Sequence, residues 1–121
     1  MRKILVGLVE PVKIKVQKGF IEILGKFDTG AKRTSIDKNL ASKIKLKRVG
    51  EITTKSVHGK SMRPLVDLKL RIKGKNVRVV ANIADRSTRK YKLLLGRDAI
   101  FPNFIIDITK SHKSHRLRDI K

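Results

Sequence analysis

The sequence contains no cysteine, which excludes a disulfide framework, a thiolate zinc site and a thiol nucleophile, and fits a reducing, intracellular setting. Tryptophan is absent as well. The few aromatic residues, Phe20, Phe27, Phe101, Phe104 and Tyr91, stand mostly inside apolar stretches, so a base-stacking surface has little to build on. Long hydrophobic runs are missing: Ile4 to Val9 is interrupted by Gly7 and ended by Glu10, too short for a signal-peptide core or a membrane span. A cytoplasmic protein without membrane attachment is expected. No glycine-rich phosphate loop occurs. Acidic residues are scarce, 10 Asp plus Glu against 31 Lys plus Arg, which leaves a formal net charge of +21.

What is present is apolar material: 40% of the 121 residues are hydrophobic, more than a disordered basic tail carries and enough for one domain with a single core. The surface over that core must be strongly cationic. Such a surface suits nucleic acid, an anionic membrane or an acidic peptide, and charge alone does not choose among them.

Alternation dominates the chain. Ile4, Val6 and Leu8 alternate, then Val12, Ile14 and Val16, and Phe20 to Phe27 reads as a third strand in which Gly25 marks a bend or a close backbone approach. After residue 31 the rhythm changes to Ile36, Leu40, Ala41 and Ile44, the spacing of a short helix. Glu51 to Val57 and Met62 to Ile72 flank His58-Gly59-Lys60 as a long hairpin with a mobile tip. A turn at Lys73 to Asn76 leads into Val77 to Ala84; Asp85 to Lys90 is loop-like. Leu93-Leu94-Leu95 reads as a buried strand ending sharply at Gly96-Arg97-Asp98, and Phe104 to Ile108 as a last strand. These elements predict an all-β domain over residues 1–110, a closed or sandwich-like barrel with one short helix, followed by a basic tail over 111–121.

Chemistry concentrates at Asp28-Thr29-Gly30, at the end of the strand Ile21 to Phe27. The plain alternative is a turn in which Asp bonds nearby amides and Gly relaxes the backbone. The functional reading needs a second carboxylate against Asp28, because two like charges in a poorly hydrated place cannot both ionise and so share one proton. A water between them is then activated by the ionised member while the other protonates the carbonyl under attack. The tripeptide occurs once, so this mechanism requires a symmetric dimer with Asp28 of each subunit facing across the two-fold axis.

Asp28-Thr29-Gly30-Ala31, followed by Thr34-Ser35-Ile36, resembles the active-site segment of the retroviral-type (retropepsin-like) aspartic proteases, and Leu93 to Asp98 resembles their second signature. The His58-Gly59 hairpin stands between the two, where that family carries its flap. More narrowly, these segments with Ser56-Val57-His58-Gly59, Arg63-Pro64-Leu65-Val66 and Asp85-Arg86-Ser87 resemble a prokaryotic retropepsin-like group labelled "ATP-dependent zinc protease", often associated with glutamate-adding ligases of the RimK type. The resemblance implies a retropepsin-like closed barrel with one lobe per chain. It implies Asp28 as the catalytic carboxylate, Thr29 and Gly30 as loop organisers, Ala31, Lys32, Arg33, His58 and Gly59 beside the peptide, and Gly96, Arg97 and Asp98 as structural. Lys32 and Arg33 replace acids of the retroviral relatives, which favours an acidic peptide and removes the acid expected to pair with Arg97.

Of the three histidines, His112 and His115 lie three apart in a basic stretch with no metalloprotease motif, so a solvated pair is expected and neither zinc nor ATP is predicted as a cofactor. The expected function is a homodimeric aspartic endopeptidase acting on acidic, including glutamate-rich, polypeptides. The alternative is a catalytically silent basic β-barrel that binds RNA or another polyanion, with nucleic acid the less favoured partner.

Overall fold

Alternating apolar residues give most of the strands of the computed structural model, which describes residues 2–110. In chain order they are β1 (Ile4–Val6), β2 (Val9–Lys15), β3 (Phe20–Phe27), β4 (Ser35–Asp37), β5 (Arg48–Ser56), β6 (Gly59–Ile72), β7 (Lys75–Ala84), β8 (Leu93–Leu95) and β9 (Phe104–Ile106). Two short helices complete the elements of the described residues: the expected one, α1 (Lys38–Lys43), and α2 (Arg97–Ile100). The tail expected over 111–121, with His112 and His115, lies outside the described residues. No helix among the described residues is long and apolar enough to cross a membrane.

The main sheet runs β2-β3-β8-β4-β7-β6-β5, and β2 also pairs with β6 through Lys13 to Arg71 and Ile14 to Leu70. That last pairing closes a barrel and leaves β5 as an arm outside it. Closure removes two of the sheet edges that would otherwise be open. The interior is filled by Val12, Ile14, Phe27, Ile36, Val66, Leu68, Leu70, Ile72, Leu93 and Leu95, all nearly or fully inaccessible. Gly25 sits in this wall where side chains crowd it: a Cβ there would lie 2.9 Å from Val12 Cγ2. Phe104 of β9 meets Phe27 edge-on, ring centroids 5.5 Å apart, which ties the small parallel β1–β9 sheet to the barrel.

Several boundaries differ from the sequence expectation. Ile36 belongs to β4 and not to the helix: it pairs with Ile83 and Leu93, and Asp37 then caps α1 by accepting from the Asn39 and Leu40 amides. Helical spacing cannot separate an apolar residue just before a cap from one inside the first turn. The last strand stops at Ile106 because Asp107 turns the chain, its carboxylate accepting from the Thr109 amide and hydroxyl.

Candidate active site

Asp28 leaves the end of β3 beside the end of β8, its amide donating to the Leu95 carbonyl at 2.9 Å. The loop then folds back on itself. Gly30 N donates to Asp28 Oδ1 at 2.9 Å, and Ala31 N donates to the Asp28 carbonyl at 3.2 Å. A Cβ at position 30 would stand 3.2 Å from that Oδ1, crowding the carboxylate. The half-buried Asp28 thus has one oxygen fixed by the loop, while no hydrogen bond among the described residues engages Oδ2.

The loop is braced from behind by the segment after β8. Arg97 donates twice, from its amide to the Ala31 carbonyl at 2.8 Å and from Nη1 to the Thr29 carbonyl at 2.9 Å. Asp98 accepts from the Thr34 amide at 3.0 Å and from the Thr34 hydroxyl at 2.7 Å, and that hydroxyl in turn accepts from Gly96 N at 3.2 Å. Thr34 is completely buried, so this charge-assisted set is shielded from water. Gly96 is demanded by contact rather than by φ: a Cβ would fall 2.5 Å from the Arg33 carbonyl carbon and 2.7 Å from its oxygen.

Asp28, Thr29, Gly30 and Ala31 are therefore brought together with Gly96, Arg97 and Asp98. Thr29 organises the loop through its carbonyl; its residue is exposed. The remaining residues singled out from the sequence make no hydrogen bond to this centre among the described residues. Lys32 is exposed, and Arg33 sends Nη1 to the Val80 carbonyl of β7 at 3.2 Å. His58 and Gly59 are exposed at the turn between β5 and β6, where Gly59 takes φ +110° and Val57 is 96% exposed. Among the described residues no His, Asp and Glu side chains converge as a metal site would require.

A cationic loop that sequence reasoning did not single out for the site borders it. Asp37, 3% exposed, accepts from the Arg86 amide at 2.8 Å as well as capping α1. Arg86 Nε donates to the Tyr91 carbonyl at 2.9 Å, and Lys92 Nζ donates to the carbonyls of Arg86, Ser87 and Arg89. Burial lowers the Arg86 guanidinium from its ordinary value, repulsion from Arg89 adds to this, and attraction to Asp37 and Asp28 opposes it. Arg86 thus stands within the field of Asp28. The signal available in the sequence was Asp85-Arg86-Ser87, but nothing local showed where that loop would land.

Comparison with solved structures places the barrel. The chain is similar to Lpg0085, a Legionella pneumophila protein of unknown function (DUF785), at TM-score 0.63 and 22% identity, covering 93% of this chain and 99% of that one. It is also similar to the simian foamy virus protease, at TM-score 0.57 and 18% identity over 75% of this chain and 89% of that one. The foamy viral protease-reverse transcriptase matches at TM-score 0.55 and 22% identity, over 77% of this chain and 11% of that longer one. At these identities the likeness is one of fold, the retroviral protease barrel. No curated protein matches the sequence. Residues 12–99, which carry both the Asp28 loop and the Gly96 to Asp98 brace, match the aspartyl protease family, and with most of its length inside that match the chain belongs to the aspartyl protease family.

Proposed function

We propose that the protein is a homodimeric aspartic endopeptidase, active on acidic and including glutamate-rich polypeptides. The observation that carries this reading is the Asp28 loop: a carboxylate fixed at one oxygen by Gly30 N, rigidly backed by Arg97 and Asp98, with its other oxygen unengaged among the described residues. Asp28 of each protomer approaches the other across a two-fold axis, the pair retains one proton, and a water held between them is deprotonated as it attacks the peptide carbonyl. The proton held by the other carboxyl passes to the carbonyl oxygen, giving a gem-diol that collapses with protonation of the leaving nitrogen. No covalent enzyme intermediate forms.

An exposed apolar surface supports the dimer. Leu5 and Ile105 are register partners on β1 and β9, 44% and 55% exposed, with Phe101 and Ile108 more exposed still. Positive charge near Asp28 supports the preference for acidic peptides: Arg86 stands within its field with Arg89 beside it, and the exposed Lys32 follows four residues after Asp28. Within the family we place the chain beside the prokaryotic group labelled "ATP-dependent zinc protease", on the motifs around Asp28, His58, Arg63, Asp85 and Gly96. The reading includes no metal or nucleotide.

The test is Asp28→Asn, assayed on acidic peptides by mass spectrometry with sedimentation run in parallel. Loss of hydrolysis by at least about 10³-fold with the dimer intact is expected. Equal hydrolysis by that variant would end the assignment, and avid RNA binding at physiological salt with no cleavage would favour a silent polyanion-binding barrel.

A further inference from the structure

The sheet register sets one row of side chains on the side of the barrel that Asp28 occupies. Asp28 follows Lys26 by two residues and continues the alternation of β3. Lys26 is in register with Leu94, Leu94 with Ser35, Ser35 with Asn82, and Asn82 with Leu65. Side chains in register share a face, and here the opposite face is the core: the neighbouring residues Phe27, Leu93, Ile36 and Ala81 are packed inside.

Two members of this row are anomalous. Ser35 and Asn82 are only 6% and 7% exposed, yet Ser35 Oγ and Asn82 Oδ1 have no hydrogen-bond partner among the described residues. Buried polar atoms are normally answered, and an apolar pair would fill a sheet position without that cost. Positive charge stands at one end of the row and beside Asn82. Lys26 lies on the Asp28 side, and Arg33 is held on β7 by the Val80 carbonyl, two residues from Asn82 on the same strand face. Neither forms an ion pair among the described residues.

Resting on the peptidase reading above, we propose that this row is a side-chain subsite for a carboxylate, so that a Glu or Asp beside the scissile bond is received between Ser35 and Asn82. The Ser35 hydroxyl donates to the carboxylate. The Asn82 carboxamide presents its N–H after a half-turn of its terminal torsion, which exchanges oxygen and nitrogen. Lys26 and Arg33 supply the positive field. A glutamine side chain meets the same hydrogen bonds without the benefit of that field, and a leucine leaves the two polar groups unanswered.

The experiment compares three peptides that differ only at one residue beside the scissile bond, Glu, Gln or Leu, with that residue walked through the flanking positions. At the position the subsite serves, kcat/KM should fall in the order Glu, Gln, Leu, with at least about tenfold between the extremes. Ser35→Val combined with Asn82→Leu should reverse the order toward Leu. Lys26→Met should reduce Glu relative to Gln while leaving the Gln to Leu ratio in place. Thermal unfolding accompanies each variant, and Ser35→Ala alone carries the comparison if the double variant does not fold. Unchanged ratios in folded variants, or a preference for Leu at every position, would overturn the subsite and leave an Asp28-dependent peptidase standing. Absence of cleavage of all three peptides by the unmodified protein, matching Asp28→Asn, would overturn the peptidase reading and the subsite with it.

Discussion

At the scale of single residues, the Asp28 loop depends on a few contacts made across long stretches of chain. The Thr34 hydroxyl donates to Asp98 and accepts from Gly96 N, two bonds that span 64 and 62 residues. Thr34→Val keeps the shape and removes both, leaving a partly buried carboxylate and a buried amide each short of a partner. The expected cost is about 1–3 kcal/mol, read from the urea midpoint at unchanged slope. Gly96→Ala should cost at least as much, because a methyl group 2.5 Å from the Arg33 backbone can be accommodated only by moving the loop. A variant of either kind as stable as the parent would show that the brace is dispensable. The residues on both sides of this brace were legible in the sequence as short local signatures. Their pairing was not, because no periodicity or turn rule links Thr34 to Asp98. Arg86 escaped for the same reason: its approach to Asp28 is created by Asp37, which holds its amide from 49 residues away.

At the scale of elements, the β5–β6 hairpin behaves as two different objects along its length. From Val66 to Ile72, β6 alternates into the core and pairs with β7, and near its end also with β2. From Gly59 to Met62 the only strand it pairs with among the described residues is β5, both strands are largely exposed, and the side-chain links are the surface contacts Thr54 to Ser61 and Thr53 to Met62. Local opening is cheap where few apolar contacts are lost. Amides paired between residues 52 and 61 should therefore exchange with deuterium at least about 100-fold faster than those of Val66 to Ile72, and a bound peptide should slow the first set selectively. Equal protection along the hairpin would mean that the arm is rigid and does not move to admit substrate. The hairpin was readable from alternation and His58-Gly59, and so were the other long strands. Strand β4 was not, since its one apolar residue, Ile36, falls at helical spacing with Leu40 and Ala41, and barrel closure was not, since it rests on Lys13 and Ile14 meeting Arg71 and Leu70.

At the scale of the whole molecule, the charge of +21 acts twice and in opposite directions. On the proposed dimeric reading, two protomers that bring their Asp28 loops together repel each other over their entire surfaces, and salt relieves this by shortening the range of the field to about 10 Å at 0.1 M. On the same reading this field draws an acidic peptide toward Asp28, and salt weakens that attraction. A neutral peptide experiences only the first effect. Its cleavage rate at fixed protein concentration should therefore rise with ionic strength until dimerisation saturates and then level off. An acidic peptide experiences both, so its rate should pass through a maximum and fall. Sedimentation velocity separates the terms, because the dimer fraction should follow the rising limb of both curves and remain constant through the falling limb of the second. If the neutral peptide also declines while the dimer persists, substrate capture is not electrostatic, and the bases near Asp28 do not select acidic sequences. If the protein is fully dimeric from low to high salt, attraction such as the exposed apolar surface around Leu5 and Ile105 offers outweighs the mutual repulsion, whereas a monomer throughout would end the proposed dimeric reading.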